Sequence, residues 1–277
     1  MNDVRAFEMT IEIAVSPDAL WQAITDPEDL VRWFATEADV TPAAGGQWIV
    51  SWDGKWPWNT AIEIWEPQRH LRLLDRQSRP YDAHGHAALE SVAPMPVAID
   101  WHVEGHGGTT VLRLVHSGFG RGGAWDDEFA GVSVGWHMEL NALKHYLERH
   151  RGEARQVAWT RAVAPASPAA VWRRLTGADG LLPAGSLSLN RGDPYDLTLS
   201  TGDRLEGTVV NVVPGRGLQV RVAAWNDALY RLWIDCVGDE SAINSWLTTY
   251  GMPAAFASAF DARMRAEIDR VAAAAVA

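Results

Sequence analysis

The sequence predicts an α+β fold in tandem: two domains, each a curved antiparallel sheet covered by a long terminal helix. Three observations carry this prediction. The chain has 277 residues, which suits two domains of about 140 residues better than one. A helix-opening decamer occurs twice, as Ser16-Pro17-Asp18-Ala19-Leu20-Trp21-Gln22-Ala23-Ile24-Thr25 and Ser167-Pro168-Ala169-Ala170-Val171-Trp172-Arg173-Arg174-Leu175-Thr176, with five of ten positions identical. The two halves also differ in charge and in special residues. Residues 1–150 carry 22 acidic and 11 Lys or Arg side chains, all nine histidines and ten of the fifteen tryptophans; residues 151–277 carry 13 acids and 13 bases. Residues 1–150 therefore read as one domain, 156–277 as a diverged second copy, and the polar stretch 151–155 as the linker.

The elements follow in order. Phe7, Met9, Ile11, Ile13 and Val15 alternate with mostly polar residues, the period-2 pattern of a half-buried strand. Each decamer then starts a helix, with Ser as the cap and Pro at the first helical position, where its missing N–H costs nothing. Asp26-Pro27-Glu28-Asp29 opens a second short helix that closes near Trp33-Phe34. Strand patterns cover 47–52, 58–66, 71–75, 97–104 and 109–116, divided by turn signals such as Asp53-Gly54 and Gly105-His106-Gly107-Gly108. Phe129, Val132, Trp136, Leu140, Leu143 and Leu147 recur at helical spacing and close the first half. In the second half, strands are expected at 205–213, 217–223, 228–236 and 242–250, before a helix carrying Phe256, Phe260, Met264, Ile268 and Val271. A curved sheet with one apolar face needs a cover, and only the terminal helix is long enough to supply it. The space between them is where a ligand would sit.

Composition excludes several classes. Hydrophobic residues make up 47% and charged residues 21% of the chain, ordinary values for a globular protein. The net charge of −11 argues against nucleic acid as a partner. No apolar run approaches the roughly 20 residues of a membrane span, and MNDVRAFEMT lacks the pattern of a signal peptide. The expectation is a cytoplasmic protein without membrane insertion. The single cysteine, Cys236, rules out an internal disulfide framework and a cysteine-based zinc site.

Ser16-Pro17-x-x-Leu20-Trp21-x-Ala23-Ile24-Thr25-Asp26-Pro27, Leu30-Val31-Arg32-Trp33-Phe34, Gly45-Gly46-Gln47-Trp48, the run Thr110 to Phe119 with its His116-Ser117-Gly118-Phe119 turn, and Gly135-Trp136 with Leu140 and Leu143 are five ordered motifs. Together they resemble the SRPBCC (START-like, Bet v 1-like) superfamily, and within it the branch named after the activator of the heat-shock-protein-90 ATPase. The resemblance covers roughly residues 5–150. The second half shares only its Ser-Pro…Trp…Leu-Thr helix and the order of elements; Leu181-Leu182-Pro183 stands where the first half has Trp33-Phe34. The resemblance implies a helix-grip fold in each half, with two short helices near the start and a deep cavity under the terminal helix. It also implies relatives that mostly bind apolar or amphipathic small molecules, with a minority of cyclases, hydrolases and co-chaperones.

Two motif matches are set aside. Gly118-Phe119-Gly120-Arg121-Gly122-Gly123 fits G-x-G-x-x-G but lacks a following parallel strand that ends in an acid. Gly131-Val132-Ser133-Val134-Gly135 fits a nucleophile elbow, yet acids suited to a helix start precede it and no Asp-then-His order follows. Its glycines are expected to let the helix approach the sheet or bend. His84-Gly85-His86, His102 and His106 lack metal-ligand spacing and read as solvated groups, so no metal and no cofactor are expected.

The candidate ligand-binding residues are Trp33, Phe34, Trp48, Trp52, Trp101, His116, Phe119, Trp136 and Leu140. By strand parity Trp48, Trp52 and Trp101 share one chamber with Trp136, and Trp33-Phe34 stand near its mouth. His116 shares parity with Leu112 and Leu114 and points inward, where it can orient a ligand oxygen or act as acid or base, with His137 as a second candidate. Trp56 and Trp58, flanking Pro57, read as an exposed turn and an interaction edge. The leading expectation is binding of a small apolar or aromatic molecule in the first domain. A cyclase, dehydratase or hydrolase using the same cavity, and a co-chaperone-like module contacting protein through the acidic first domain, are the alternatives.

Overall fold

The structure is a computed structural model and describes residues 4–82, 89–182 and 188–274. The chain divides into two compact units, Met1–Glu153 and Ala154–Ala277.

The first unit runs β1 (Arg5–Ile13), α1 (Pro17–Thr25), α2 (Pro27–Trp33), β2 (Glu37–Val40), β3 (Gln47–Trp52), β4 (Lys55–Glu66), β5 (His70–Ser78), β6 (Met95–His106), β7 (Thr109–Phe119) and α3 (Ala124–His145), which continues into a π-helical turn, Tyr146–His150. Its seven strands form one antiparallel sheet in the order β1-β7-β6-β5-β4-β3-β2. The second unit runs β8 (Arg155–Ala164), α4 (Pro168–Leu175), β9 (Pro194–Thr198), β10 (Arg204–Val213), β11 (Gly217–Val222), β12 (Ala228–Val237), β13 (Glu240–Tyr250) and α5 (Ala254–Ala274). Its sheet order is β8-β13-β12-β11-β10-β9, again antiparallel throughout. Each unit is thus an α+β helix-grip domain. Among the described residues, no helix is long and apolar enough to cross a membrane.

The repeat in sequence is a repeat in bonding. Ser16 Oγ accepts the Ala19 N–H at 3.2 Å, and Ser167 Oγ accepts that of Ala170 at 3.4 Å, each cap followed by its proline. Thr25 Oγ1 donates to the Trp21 carbonyl at 2.7 Å, as Thr176 Oγ1 does to Trp172 at 2.8 Å. At the first strand pairing, Thr110 Oγ1 donates to the Val15 carbonyl and Ser241 Oγ to that of Ala166. These matched bonds define a correspondence between β1–β7 and β8–β13.

Several expectations need correction. Trp56 and Trp58 do not form an exposed turn: they belong to β4, both are partly buried, and Trp58 packs inward. The turn ends sooner because Asp53, Gly54 and Trp56 adopt positive φ and return the chain to the sheet at Lys55. The short strands β2 and β9 carry no clear alternation in sequence and were not expected. Near the start of the second unit one short α-helix, α4, is formed among the described residues; Leu181 and Leu182 are buried in bends, and Pro183 lies outside them. Gly135 does not bring α3 against the sheet, since a Cβ there would meet nothing within 4 Å. His84 and His86 lie outside the described residues.

Candidate functional site

The site is built where β7 ends. His116 follows Leu112 and Leu114 onto the buried face, as alternation requires. Strict alternation would then turn Phe119 away. Instead Gly118, at φ +101°, bulges out of the ladder: β1 pairs Ala6 with Ser117 and then Arg5 with Phe119. The bulge returns Phe119 to the inner face, with its ring centroid 4.6 Å from that of His116. Only glycine fits, because a Cβ at 118 would lie 2.2 Å from the Pro96 carbonyl oxygen.

Behind His116 the interior is aromatic. Phe34 lies at its centre, stacked on Trp136 at 5.7 Å with an interplanar angle of 10° and on Trp33 at 4.9 Å. Trp48, Trp52 and Trp58 ring the remaining sides of Phe34, and Trp101 meets Trp136 edge-on at 5.3 Å. Two of the indole N–H groups are anchored to backbone where α1 passes: Trp33 Nε1 donates to the Ala23 carbonyl and Trp48 Nε1 to that of Ile24.

Trp136 also sets the chemistry of His116. Its Nε1–H donates to His116 Nδ1 at 2.9 Å. An indole nitrogen is donor only, so Nδ1 is the acceptor and the ring proton sits on Nε2. Burial, at 4% exposure, pushes the imidazole down from 6.5 to about 3. His116 is therefore a neutral imidazole at physiological pH, fixed in one tautomer and able to donate from Nε2.

His116 lines a cavity of about 90 Å³ between the sheet and the start of α3. Trp58, Val97, Ile99 and Phe119 supply its apolar wall. Thr60, Asp75, Arg79, Tyr81 and Glu128 bring polar groups to it. Tyr81 donates to the Pro57 carbonyl at 3.0 Å, and its hydroxyl is pushed up by burial and by the carboxylates of Asp75 and Glu128. Arg79 is tied by Nε to the Val92 carbonyl.

Of the sequence-derived candidates, His116 and Phe119 line this cavity. Trp33, Phe34, Trp48, Trp101, Trp136 and Leu140 are at most 2% exposed and form the packed interior behind it. Trp33 and Phe34 are thus central and not at a mouth. Trp52 is partly buried against Phe34 and Trp58. His137 is exposed, with its ring edge on Phe7, and takes no part. Trp58, Asp75, Tyr81 and Glu128 were missed. Parity along 58–66 was a usable signal for Trp58, whereas nothing local announced the others.

Residues 14–148 match the model of the family described as activator of Hsp90 ATPase homolog 1-like protein. Similar solved structures include the Aha1 dimer from Colwellia psychrerythraea (21% identity, 53% of this chain and 99% of that one, TM-score 0.42). Protein MLL2253 from Mesorhizobium loti is 22% identical over 53% of this chain and 98% of its own, with a TM-score of 0.44. The di-domain ARO/CYC BexL from the BE-7585A biosynthetic pathway spans 99% of both chains at 16% identity and a TM-score of 0.43. No curated protein matches the sequence. The match runs from just after β1 into the π-helical turn after α3, so it is the first unit of the chain that is similar to the activator of Hsp90 ATPase homolog 1-like family.

Proposed function

We propose that the first unit binds a small apolar or aromatic molecule that carries a carbonyl or carboxyl oxygen. The observation behind this is the fixed, neutral His116 on the wall of a cavity whose other faces are Trp58, Val97, Ile99 and Phe119. The apolar part of the ligand gains about 25 cal/mol per Å² removed from water. At about 90 Å³ the cavity admits only the head of a larger molecule, since drug-sized sites span roughly 300–1,000 Å³. The His116 Nε2–H then supplies orientation, at a depth where a hydrogen bond is stronger than in water. The aromatic interior of Trp33, Phe34, Trp48, Trp101 and Trp136 holds the His116 ring in place, and Trp52 backs Trp58.

The test is titration of the full chain with aromatic acids, aromatic ketones and medium-chain fatty acids, followed by tryptophan emission and native mass spectrometry. The expected result is a saturable response to at least one class, lost in His116→Leu and reduced in Phe119→Ala. Absence of a saturable response to every class contradicts the proposal.

A second reading, catalysis of cyclase or dehydratase type, is favoured by one observation: the carboxylates of Asp75 and Glu128 line the same cavity as the His116 donor. A carboxylate can take a proton beside a carbonyl that the imidazole polarises. Turnover of a β-hydroxyketone to the conjugated enone, abolished in Glu128→Gln, distinguishes this reading from binding alone.

A further inference from the structure

The outer face of the first sheet carries a second cluster of reactive side chains. His70 on β5 and His102 on β6 stand directly opposite each other in the ladder. Their neighbours Leu71 and Trp101 are fully buried, so the two imidazoles project from the face opposite the core. The rings stack with centroids 4.2 Å apart and planes 22° apart. Asp100, two residues before His102, reaches the same place and is 7% exposed. Its Oδ1 lies 2.8 Å from His70 Nε2. One ligand-capable atom from each of the three side chains falls within 4.8 Å of the others.

We propose that His70, Asp100 and His102 form a binding site for one divalent transition-metal ion of the zinc class. Two imidazole nitrogens and one carboxylate oxygen, without a thiolate, suit Zn²⁺, Ni²⁺, Co²⁺ or Cu²⁺ and do not suit Ca²⁺ or Mg²⁺. Zinc–nitrogen and zinc–oxygen bonds of about 2.0–2.2 Å place neighbouring ligand atoms of a tetrahedral site about 3.4 Å apart. The 2.8 Å between His70 Nε2 and Asp100 Oδ1 and the 4.8 Å limit on the other separations lie on either side of that value. Three protein ligands leave a fourth position for water or an exogenous ligand. The carboxylate is also held from behind. Arg72 Nη1 bonds Asp100 Oδ2, and Arg72 Nε is fixed by Glu63 Oε2 at 2.9 Å. Such outer hydrogen bonds orient ligating groups in metal sites. Arg113, opposite His102 in the ladder, is paired with Glu8 at 2.7 Å. Both nearby guanidinium charges therefore have carboxylate partners that offset their repulsion of a cation. Sequence spacing hides the site because its two histidines are 32 residues apart and only the β5–β6 register joins them.

The test uses the full chain, stripped of metal with a chelator and titrated calorimetrically with ZnCl₂. The expected result is one equivalent bound per chain. His102→Ala and Asp100→Asn should each weaken binding by more than the about 10- to 100-fold typical of losing an outer hydrogen-bond partner. A variant lacking both His84 and His86 should bind as the parent does. Circular dichroism checks that each variant folds. Should His102→Ala or Asp100→Asn fail to fold, Co²⁺-loaded parent protein decides by the paramagnetic shifts of the His70 and His102 ring protons. Absence of stoichiometric binding, unchanged binding in His102→Ala, loss of binding in the His84/His86 variant, or cobalt shifts confined to other histidines overturns the proposal.

Discussion

The same pair of strands closes the cores of both units, and what stands on it differs. The shared bonds from Thr110 to Val15 and from Ser241 to Ala166 align β7 with β13, which sets His116 against Leu247 and Gly118 against Thr249. In the first unit His116 pairs across the ladder with Phe7; in the second Leu247 pairs with Ala158. β13 then continues in regular register through Thr249 and Tyr250, while β7 bulges at Gly118. The interior follows suit. Around His116 it is built from indoles and Phe34, and around Leu247 mainly from aliphatic side chains such as Leu218, Val220, Leu232 and Ile243. A helix-grip domain therefore needs only an alternating sheet and an apolar helix. A histidine-bearing cavity needs, in addition, a glycine that breaks alternation.

Four substitutions, the first with a matched control, break or sharpen this contrast. Gly118→Ala has the largest expected effect. Its Cβ would strike the Pro96 carbonyl and the residue would hold φ +101°, at a cost of about 3–5 kcal/mol from strain and overpacking combined. Chemical denaturation should show the loss, whereas Thr249→Ala at the matching position should cost far less. Leu247→His comes next: it transplants the imidazole into an interior without a Trp136 to bond it. Burying the unpartnered ring should destabilise by about 3 kcal/mol, again read by denaturation.

The reciprocal His116→Leu should cost about 1–3 kcal/mol at pH 7, because it orphans the Trp136 N–H. It should also change the pH dependence. The folded-state value of His116, about 3, lies below its ordinary 6.5. The unfolded chain thus binds the extra proton between these values. Stability from keeping His116 neutral is fully present above pH 6.5 and falls by about 1.4 kcal/mol per unit as pH drops toward 3. His116→Leu should lack that component, so the parent's advantage disappears within about two units below pH 6.5 and the order reverses in stronger acid. Gly135→Ala has the smallest effect and the opposite sign. A helical glycine whose Cβ meets open space should stabilise α3 by up to about 1 kcal/mol when replaced, seen as a raised melting temperature.

Much of the fold was legible because its signals are local. Alternation in 7–15, the Ser-Pro caps and the apolar spacing of 256–271 each depend on residues within one element. The inward direction of His116, Trp48 and Trp101 was legible for the same reason. What escaped depends on distant register or on backbone that breaks period 2. Phe119 was a candidate, but the bulge that turns it inward was not legible, and Trp58 re-enters the sheet through left-handed residues at Asp53, Gly54 and Trp56. Asp75, Tyr81 and Glu128 share a cavity with His116 only because β5, the loop after it and α3 come together beside β7. The split between a packed aromatic interior and a small cavity beside it was equally out of reach, since parity assigns a face and not a depth.

The central claim is that His116 is a neutral, single-tautomer donor at a ligand cavity. Nitrogen-15 NMR of the histidine rings, recorded from pH 7 to pH 4 with and without a bound aromatic acid, tests it most directly. The expected spectrum shows His116 protonated at Nε2 alone, unchanged by acid until the fold is lost, with the Nε2–H resonance shifting on ligand addition. A His116 ring that titrates near pH 6.5, or one whose Nε2 is indifferent to every ligand that binds, would contradict it.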